Sequence, residues 1–316
     1  MKSMNRLIVF VLILFIGFAI PSSAAKYSGD FMTLGVGGQP ISLGSAFVAS
    51  KGNVLSGYYN PAGLSFLEGS EAIFMHSETF GSELNHDYIA YARPIGHDEK
   101  QAALGFALYR LGGGGVDVTG VDSTGRFYII DEESHANYIG YFSYGRQFSE
   151  RLNWGVTAKL IYRDIVDETA FGMGIDFGAL YSVSDWLDFG ANFQDVTTTL
   201  LSYSTGTKES VYPTAKLGFK ARKNMGSMSA SLLTDSDIRF EGRDFSAQAA
   251  LGPVSFDNHV GLELGYHEKL YARVGSDVGN LTLGAGINVN RLSIDVSMRD
   301  HSDFDNTFLI SLLMKL

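Results

Sequence analysis

The chain repeats a two-residue hydrophobic period over long stretches. From 152 to 163, Leu152, Trp154, Val156, Ala158, Leu160 and Tyr162 share one parity, and Asn153, Gly155, Thr157, Lys159, Ile161 and Arg163 share the other. Successive side chains of a strand point to opposite faces, so this segment predicts a strand with one apolar and one mostly polar face. In the same way Val260, Leu262, Leu264 and Tyr266 alternate with Gly261, Glu263, Gly265 and His267. The pattern returns over 281–290, and over 292–299, where Leu292, Ile294, Val296 and Met298 stand against Ser293, Asp295, Ser297 and Arg299. The whole sequence predicts about fourteen strands, over 70–77, 87–93, 102–111, 137–145, 152–163, 172–183, 187–196, 213–222, 227–234, 258–266, 270–277, 281–289, 292–299 and 306–315. Residues 245–256 leave room for part of an extra hairpin.

Alternation alone also fits a soluble β-sandwich, with its apolar face inward and its polar face in water. Two features favour a membrane barrel. The best segments run for about 9 to 12 residues, the length of a tilted membrane strand, against about 5 or 6 in soluble proteins. Their polar faces are rich in Gly, Ser, Asn and Thr with isolated charges, as a crowded lumen requires. The expected fold is therefore all-β, a transmembrane antiparallel β-barrel with lipid outside and a polar interior. An even strand number suits closure, and an open sheet would leave unpaired backbone in lipid at several kcal/mol per group.

The connections alternate as well. Short turns are expected at 94–100, 148–151, 184–186, 223–226, 267–269 and 290–291, with longer stretches at 112–134, 197–212 and 235–257. Membrane barrels keep short turns on the periplasmic side, which would place both ends of the strand array there. Phe308, Ile310, Leu312, Met314 and Leu316 share one parity and would face lipid, while Trp154, Trp186, Phe189, Tyr271 and Phe308 near strand ends fit interfacial girdles.

Export is written at the start. Lys2 and Arg6 precede an apolar run from Leu7 to Ile20, and Ser23, Ala24 and Ala25 supply small residues for cleavage. The expected organisation is a signal peptide over 1–25, a compact segment over 26–67 and a barrel over 68–316, integral to a bacterial outer membrane. There is no cysteine, so no disulfide can staple the exported product. A net charge of −10 without any Lys/Arg cluster excludes nucleic acid as a partner.

Segment 26–67 is of another kind: Leu34-Gly35-Val36-Gly37, then Gly44-Ser45-Ala46-Phe47-Val48-Ala49, then Tyr59-Asn60-Pro61-Ala62-Gly63-Leu64. Small residues permit tight turns and close approach, and the segment is too short for a core of its own, so it needs a host surface. These residues resemble the PorV/PorQ family, relatives of the FadL-type hydrocarbon transporters. The resemblance implies that the stretch is a hatch folded inside a fourteen-stranded barrel, with Gly35, Gly37, Gly44, Ala46, Phe47, Asn60, Pro61, Ala62 and Gly63 as its motif. Lys51-Gly52-Asn53 stands where family members often carry an acidic pair, and Gly38-Gln39 replaces their usual basic and small residues. It further implies passage or binding of a hydrophobic small molecule or, alternatively, a non-enzymatic part in type IX protein secretion, with loops offered to cargo or translocon.

Other chemistry is sparse. The glycines of 112–115 lack the Lys-Ser or Lys-Thr of a phosphate loop and are read as a mobile external loop. His76 and His86 could meet across the first hairpin, but no zinc-like spacing supports a metal, and no cofactor is implied. No Gly-x-Ser-x-Gly elbow or Ser/His/acid grouping stands out, so an enzyme is not expected. Acidic positions such as Asp131, Glu132, Glu133, Asp164, Asp167 and Glu168 read as solvated loops, the alternative being divalent-cation bridges to lipopolysaccharide beside the surrounding lipid.

Overall fold

The computed structural model describes residues 29–79, 84–95, 101–243, 247–301 and 305–316, so the expected signal peptide lies outside the described residues. Seven strands come first: β1 (Glu71–Thr79), β2 (Leu84–Pro94), β3 (Ala102–Val121), β4 (Phe127–Gln147), β5 (Leu152–Ile165), β6 (Glu168–Ser184) and β7 (Leu187–Gln194). A short hairpin follows, β8 (Thr199–Tyr203) with β9 (Lys208–Val211). Then come β10 (Thr214–Met225), β11 (Met228–Arg239), the short β12 (Ala249–Leu251) and β13 (Val254–Tyr266). The last four are β14 (Leu270–Asp277), β15 (Asn280–Val289), β16 (Leu292–Arg299) and β17 (Thr307–Lys315).

Fourteen of these strands form one closed antiparallel ring, leaving β8, β9 and β12 as additions to it. Consecutive ring strands pair with each other, β7 pairs with β10 from Gln194↔Thr214 to Leu187↔Ala221, and β11 pairs with β13. The ring is sealed by β1 against β17, from Glu71↔Lys315 to Glu78↔Phe308. The fourteen expected strands correspond one to one with it.

The ring is inside out. On β5, Asn153, Thr157 and Lys159 are buried, whereas Leu160 is 50% exposed on the outer face. Phe74, Ile89, Phe106, Leu262, Leu283, Val296, Ile310 and Leu312 are likewise exposed, and the expected outward row of β17 is seen. A sandwich would bury that apolar parity. Here only a hydrocarbon solvent satisfies it, which is the arrangement of a membrane-spanning barrel.

Three details differ from the sequence reading. The glycine run at 112–115 is not a loop: β3 and β4 continue together past Gly113↔His135, through register shifts, to Val121↔Phe127. Val118, Val121, Phe127, Ile129 and Ile130 have the branched and aromatic side chains that favour strands, and this preference overrides the glycines. The result is a two-stranded ribbon, because β2 follows β3 only to Gly112 and β5 follows β4 only to His135. The stretch 197–212 is mostly the β8–β9 hairpin, which lies on β6 through Ala170↔Tyr203 to Met173↔Leu200. The long-loop end also contains two tight turns, at 166–167 and 278–279, where Val166 and Val278 have positive φ. The room left for an extra hairpin is taken by β12 folding onto β13.

The lumen is polar around most of the ring and largely apolar along β1 to β4. Inward residues of β10 to β16 include Lys216, Asp235, Asp237, His259, Glu263, Arg273, Asp277 and Arg299, in ion pairs such as Arg273 with Glu263 at 2.7 Å and with Asp295 at 2.6 Å. From β1 to β4 the inward set is instead mainly apolar, with Ile73, Met75, Tyr88, Tyr109, Ile139 and Tyr141 buried beside a few polar residues such as His86 and Ser143. The expected polar interior is present around most of the ring, and the apolar sector along β1 to β4 is covered by the chain's own N-terminal segment.

Candidate functional site

The segment before β1 holds a 3-10 turn (Asp30–Met32), a helix (Gly38–Ser42), a second helix (Ser56–Tyr59) and a 3-10 turn (Pro61–Phe66). Elements this short are unstable alone, so their backbone groups are satisfied by the barrel wall. Gly35, Gly37 and Gly44 have φ of 79°, 84° and 65°, where a side chain would strain the turns that bracket the first helix.

The segment sits as two arms. The first, through residues 34–48, faces β11 to β17. The Gly38 amide donates to Ser311 Oγ at 2.9 Å, and the amides of Phe47 and Val48 donate to Asp235 Oδ2 at 2.6 and 2.8 Å. His259 Nδ1 lies 2.9 Å from the Gly44 carbonyl, and Arg299 donates to the Leu34 carbonyl at 3.2 Å and Ser45 Oγ at 3.1 Å. The second arm, through residues 56–66, faces β3 to β7 through neutral groups. Ser143 and Thr157 donate to the Gly57 carbonyl, Asn192 donates to that of Tyr59 at 2.8 Å, and Ser65 donates to Asn153 at 3.0 Å.

Asn60 joins arm to wall. Its amide donates to the carbonyls of Val48 at 2.8 Å and Ala179 at 3.0 Å, while its Oδ1 accepts from the Ala62 amide and starts the Pro61 turn. Ala46, Phe47, Pro61, Ala62 and Gly63 are buried beside it, and Gly63 N–H closes back on the Asn60 carbonyl. The motif residues thus meet wall backbone and one another, with no convergent reactive groups among them.

The wall residues that receive these arms were not singled out in the sequence. Gly190 faces the Val48 carbonyl, Gly261 and Gly275 face the Leu43–Gly44 backbone, and Gly145 and Gly155 face Pro61, each too closely for a β-carbon. Their signal was present as glycines recurring on the polar parity. The apolar sector also had one: in β1 and β2 both parities carry apolar residues, Phe74 beside Met75 and Tyr88 beside Ile89, as in strands covered on both faces.

Over the apolar sector lies a cluster of tyrosines. The Tyr58 ring packs edge-on to Tyr59, Tyr141 and Tyr88 at centroid distances of 4.9, 5.7 and 6.3 Å, and His86 lies 4.4 Å from Tyr109. Tyr58 donates to the Met32 carbonyl, and Tyr109 donates to the Phe31 carbonyl at 2.5 Å. Two small cavities flank this stretch. One of about 30 Å³ touches Asp30, Met32, Tyr58, Tyr141 and Lys159; the other, of about 20 Å³, touches Leu34, Ile41, His86, Arg299 and Leu309. Each has room for a water molecule or two.

Two other expectations are corrected. His76 and His86 lie on opposite faces of the wall, His76 pairing outside with Asp87 at 2.7 Å while His86 points into the lumen, because their positions in the hairpin differ in parity. Tyr271 shares the inward parity of Arg273 and lies under its guanidinium at 5.1 Å, so it is not part of an outer girdle. No group of three or more metal-ligating side chains occurs among the described residues.

No protein-family model matches the chain, and no curated protein does. Solved structures do share its fold. The toluene transporter TbuX of Ralstonia pickettii aligns with 89% of this chain and 98% of its own, at 13% identity and TM-score 0.56. The CymD monoaromatic hydrocarbon channel aligns over 89% and 98%, at 12% identity and TM-score 0.58. A Pseudomonas aeruginosa FadL homologue aligns over 85% and 95%, at 9% identity and TM-score 0.52.

Proposed function

We propose that this chain is a non-enzymatic outer-membrane barrel of FadL-like type that passes a hydrophobic small molecule, with residues 26–67 as its movable hatch. The observation that carries this reading is a fourteen-stranded, lipid-facing ring whose lumen is filled by the chain's own N-terminal segment. The fold is shared over nearly the full length of a toluene transporter and a monoaromatic hydrocarbon channel, which supports the same class of solute. The flanking cavities hold only water-sized guests, so passage requires part of the segment to shift. The export signal over 1–25 belongs to this reading, and sequencing of the mature N-terminus should begin at Lys26.

The test is uptake by proteoliposomes. Saturable uptake of toluene or of a long-chain fatty acid above that of empty vesicles is expected; its absence for every hydrophobic solute defeats the reading.

One observation favours a second reading, an accessory of PorV/PorQ type in type IX secretion. The β3–β4 ribbon outruns its neighbours and ends in exposed Val121, Phe127, Tyr128, Ile129 and Ile130, a surface suited to a protein partner. Pull-down from detergent extracts with and without residues 116–133 decides it: a ribbon-dependent secretion component supports it, and identical pull-downs remove it.

A further inference from the structure

We propose that the tyrosine cluster on the β2–β4 wall is a binding site for a hydroxylated aromatic ring, a solute of the phenol class, occupied in this state by the Phe31–Leu34 stretch of the chain itself. The inference rests on the passage reading only for its biological use; the site is defined by its own residues.

The first argument is shape. Tyr88, Tyr109, Tyr141 and His86 of the wall, with Tyr58 of the N-terminal segment packed on them, form an aromatic surface over the largely apolar sector of the lumen. The two cavities meet the two ends of the covering stretch, Met32 and Thr33 lining one and Leu34 the other. Withdrawal of residues 31–34 would merge them into one chamber against that surface. Aromatic rings prefer edge-to-face or offset partners, and the hatch residue Tyr58 already packs edge-on to Tyr88 and Tyr141 of the wall.

The second argument is hydrogen bonding, and it selects the class of ring. Among the described residues, Tyr88 OH and His86 Nε2 have no partner, although Tyr88 is 1% and His86 2% exposed. Buried polar atoms are nearly always paired, so these two need a polar partner, and on this aromatic face the hydroxyl of a bound ring can supply it. Both side chains leave the same face of β2, two residues apart, beside the aromatic surface. A phenolic hydroxyl donates once and accepts twice, so it can satisfy either atom, while a plain hydrocarbon satisfies neither. Tyr58 and Tyr109 are held differently. Their hydroxyls are spent on the backbone carbonyls of Met32 and Phe31, contacts that tie the occupying stretch down and that a solute hydroxyl could replace.

The experiment compares p-cresol with p-xylene, which has a methyl group in place of the hydroxyl, by equilibrium dialysis of the full chain in detergent against protein-free micelles. At least tenfold tighter binding of p-cresol is expected, reduced at least threefold in Tyr88→Phe, which keeps the ring, and falling to near parity when His86→Phe is added. Because the chain has no cysteine, Gly29→Cys with Val211→Cys can form only one disulfide; the ideal Gly29 β-carbon lies 2.6 Å from one Val211 methyl and 3.5 Å from the other. Oxidation should pin the covering stretch and lower p-cresol binding at least tenfold, with recovery on reduction. Heat-modifiable gel mobility confirms that each variant is a folded barrel. Equal binding of the two solutes, or a preference unchanged in Tyr88→Phe, overturns the proposal. If p-cresol binds as expected while proteoliposomes take up no solute, the site stands and the passage reading falls.

Discussion

Gly190, on the inward face of β7, meets the carbonyl of Val48 so closely that no β-carbon fits between them. Arm and wall are therefore fitted at the level of bare backbone. Gly190→Ala should force a shift of the arm or of β7 and destabilise the barrel by about 1–3 kcal/mol, the usual penalty of overpacking. Gly140→Ala is the control, because its β-carbon would find only ordinary contact with Phe142. Urea unfolding in detergent, followed by gel mobility, should show a lowered midpoint for the first and none for the second.

A similar contrast tests the outer surface. Val296 is 47% exposed in the middle of β16, on the parity assigned to lipid. Val296→Arg should cost about 2–4 kcal/mol in a bilayer, as charges on the lipid face of barrels do near the midplane. Refolding into lipid vesicles reads this directly, and a variant that refolds as well as the parent would contradict the assigned orientation.

Inside the lumen, Lys159 lies 2.8 Å from Asp176 and 2.6 Å from Asp195, with all three side chains at most 7% exposed. Lys159→Met leaves two carboxylates facing each other without their cation, and loss of one member of a buried ion pair costs about 3–5 kcal/mol. The triple variant with Asp176→Asn and Asp195→Asn should recover most of the loss. Denaturant midpoints of the single and triple variants check this, and equal losses would show that packing, not charge balance, holds the site.

The ribbon tip offers a pH test away from the membrane. Asp122 accepts from the Thr124 hydroxyl at 2.6 Å and from the amides of Thr124 at 2.7 Å and Arg126 at 2.9 Å. These bonds, the Thr124 hydroxyl foremost, hold its carboxyl below the usual carboxylate range. A depressed value means that the turn is favoured above the unfolded pKa and loses support as pH falls through the folded one. Amide resonances of Thr124 and Arg126 should stay constant from about pH 8 to about pH 5 and move only below about pH 4. In Asp122→Ala they should be shifted at every pH.

The wall was legible in the sequence because a barrel strand has only two environments, and residues such as Leu292 to Arg299 sort into them one by one. Strand ends were less so, since Phe127 to Ile130 carry strand propensity on both parities and only pairing with β3 shows where they go. The interior was half legible. The motif glycines of the N-terminal segment announced tight turns, but which wall atoms receive them depends on contacts across most of the chain, such as Gly38 with Ser311. The tyrosine sector was missed because Tyr88, Tyr109 and Tyr141 fall on three strands, each unremarkable until the ring brings them together.

The seam that begins at Glu71 and Lys315 makes closure depend on the two strands farthest apart in the chain. Eight residues of each end strand make this one seam, and it alone joins the first strand of the ring to the last. A chain shortened by its terminal strand would expose two unsatisfied edges to lipid, those of β1 and β16, and leave its contents unenclosed.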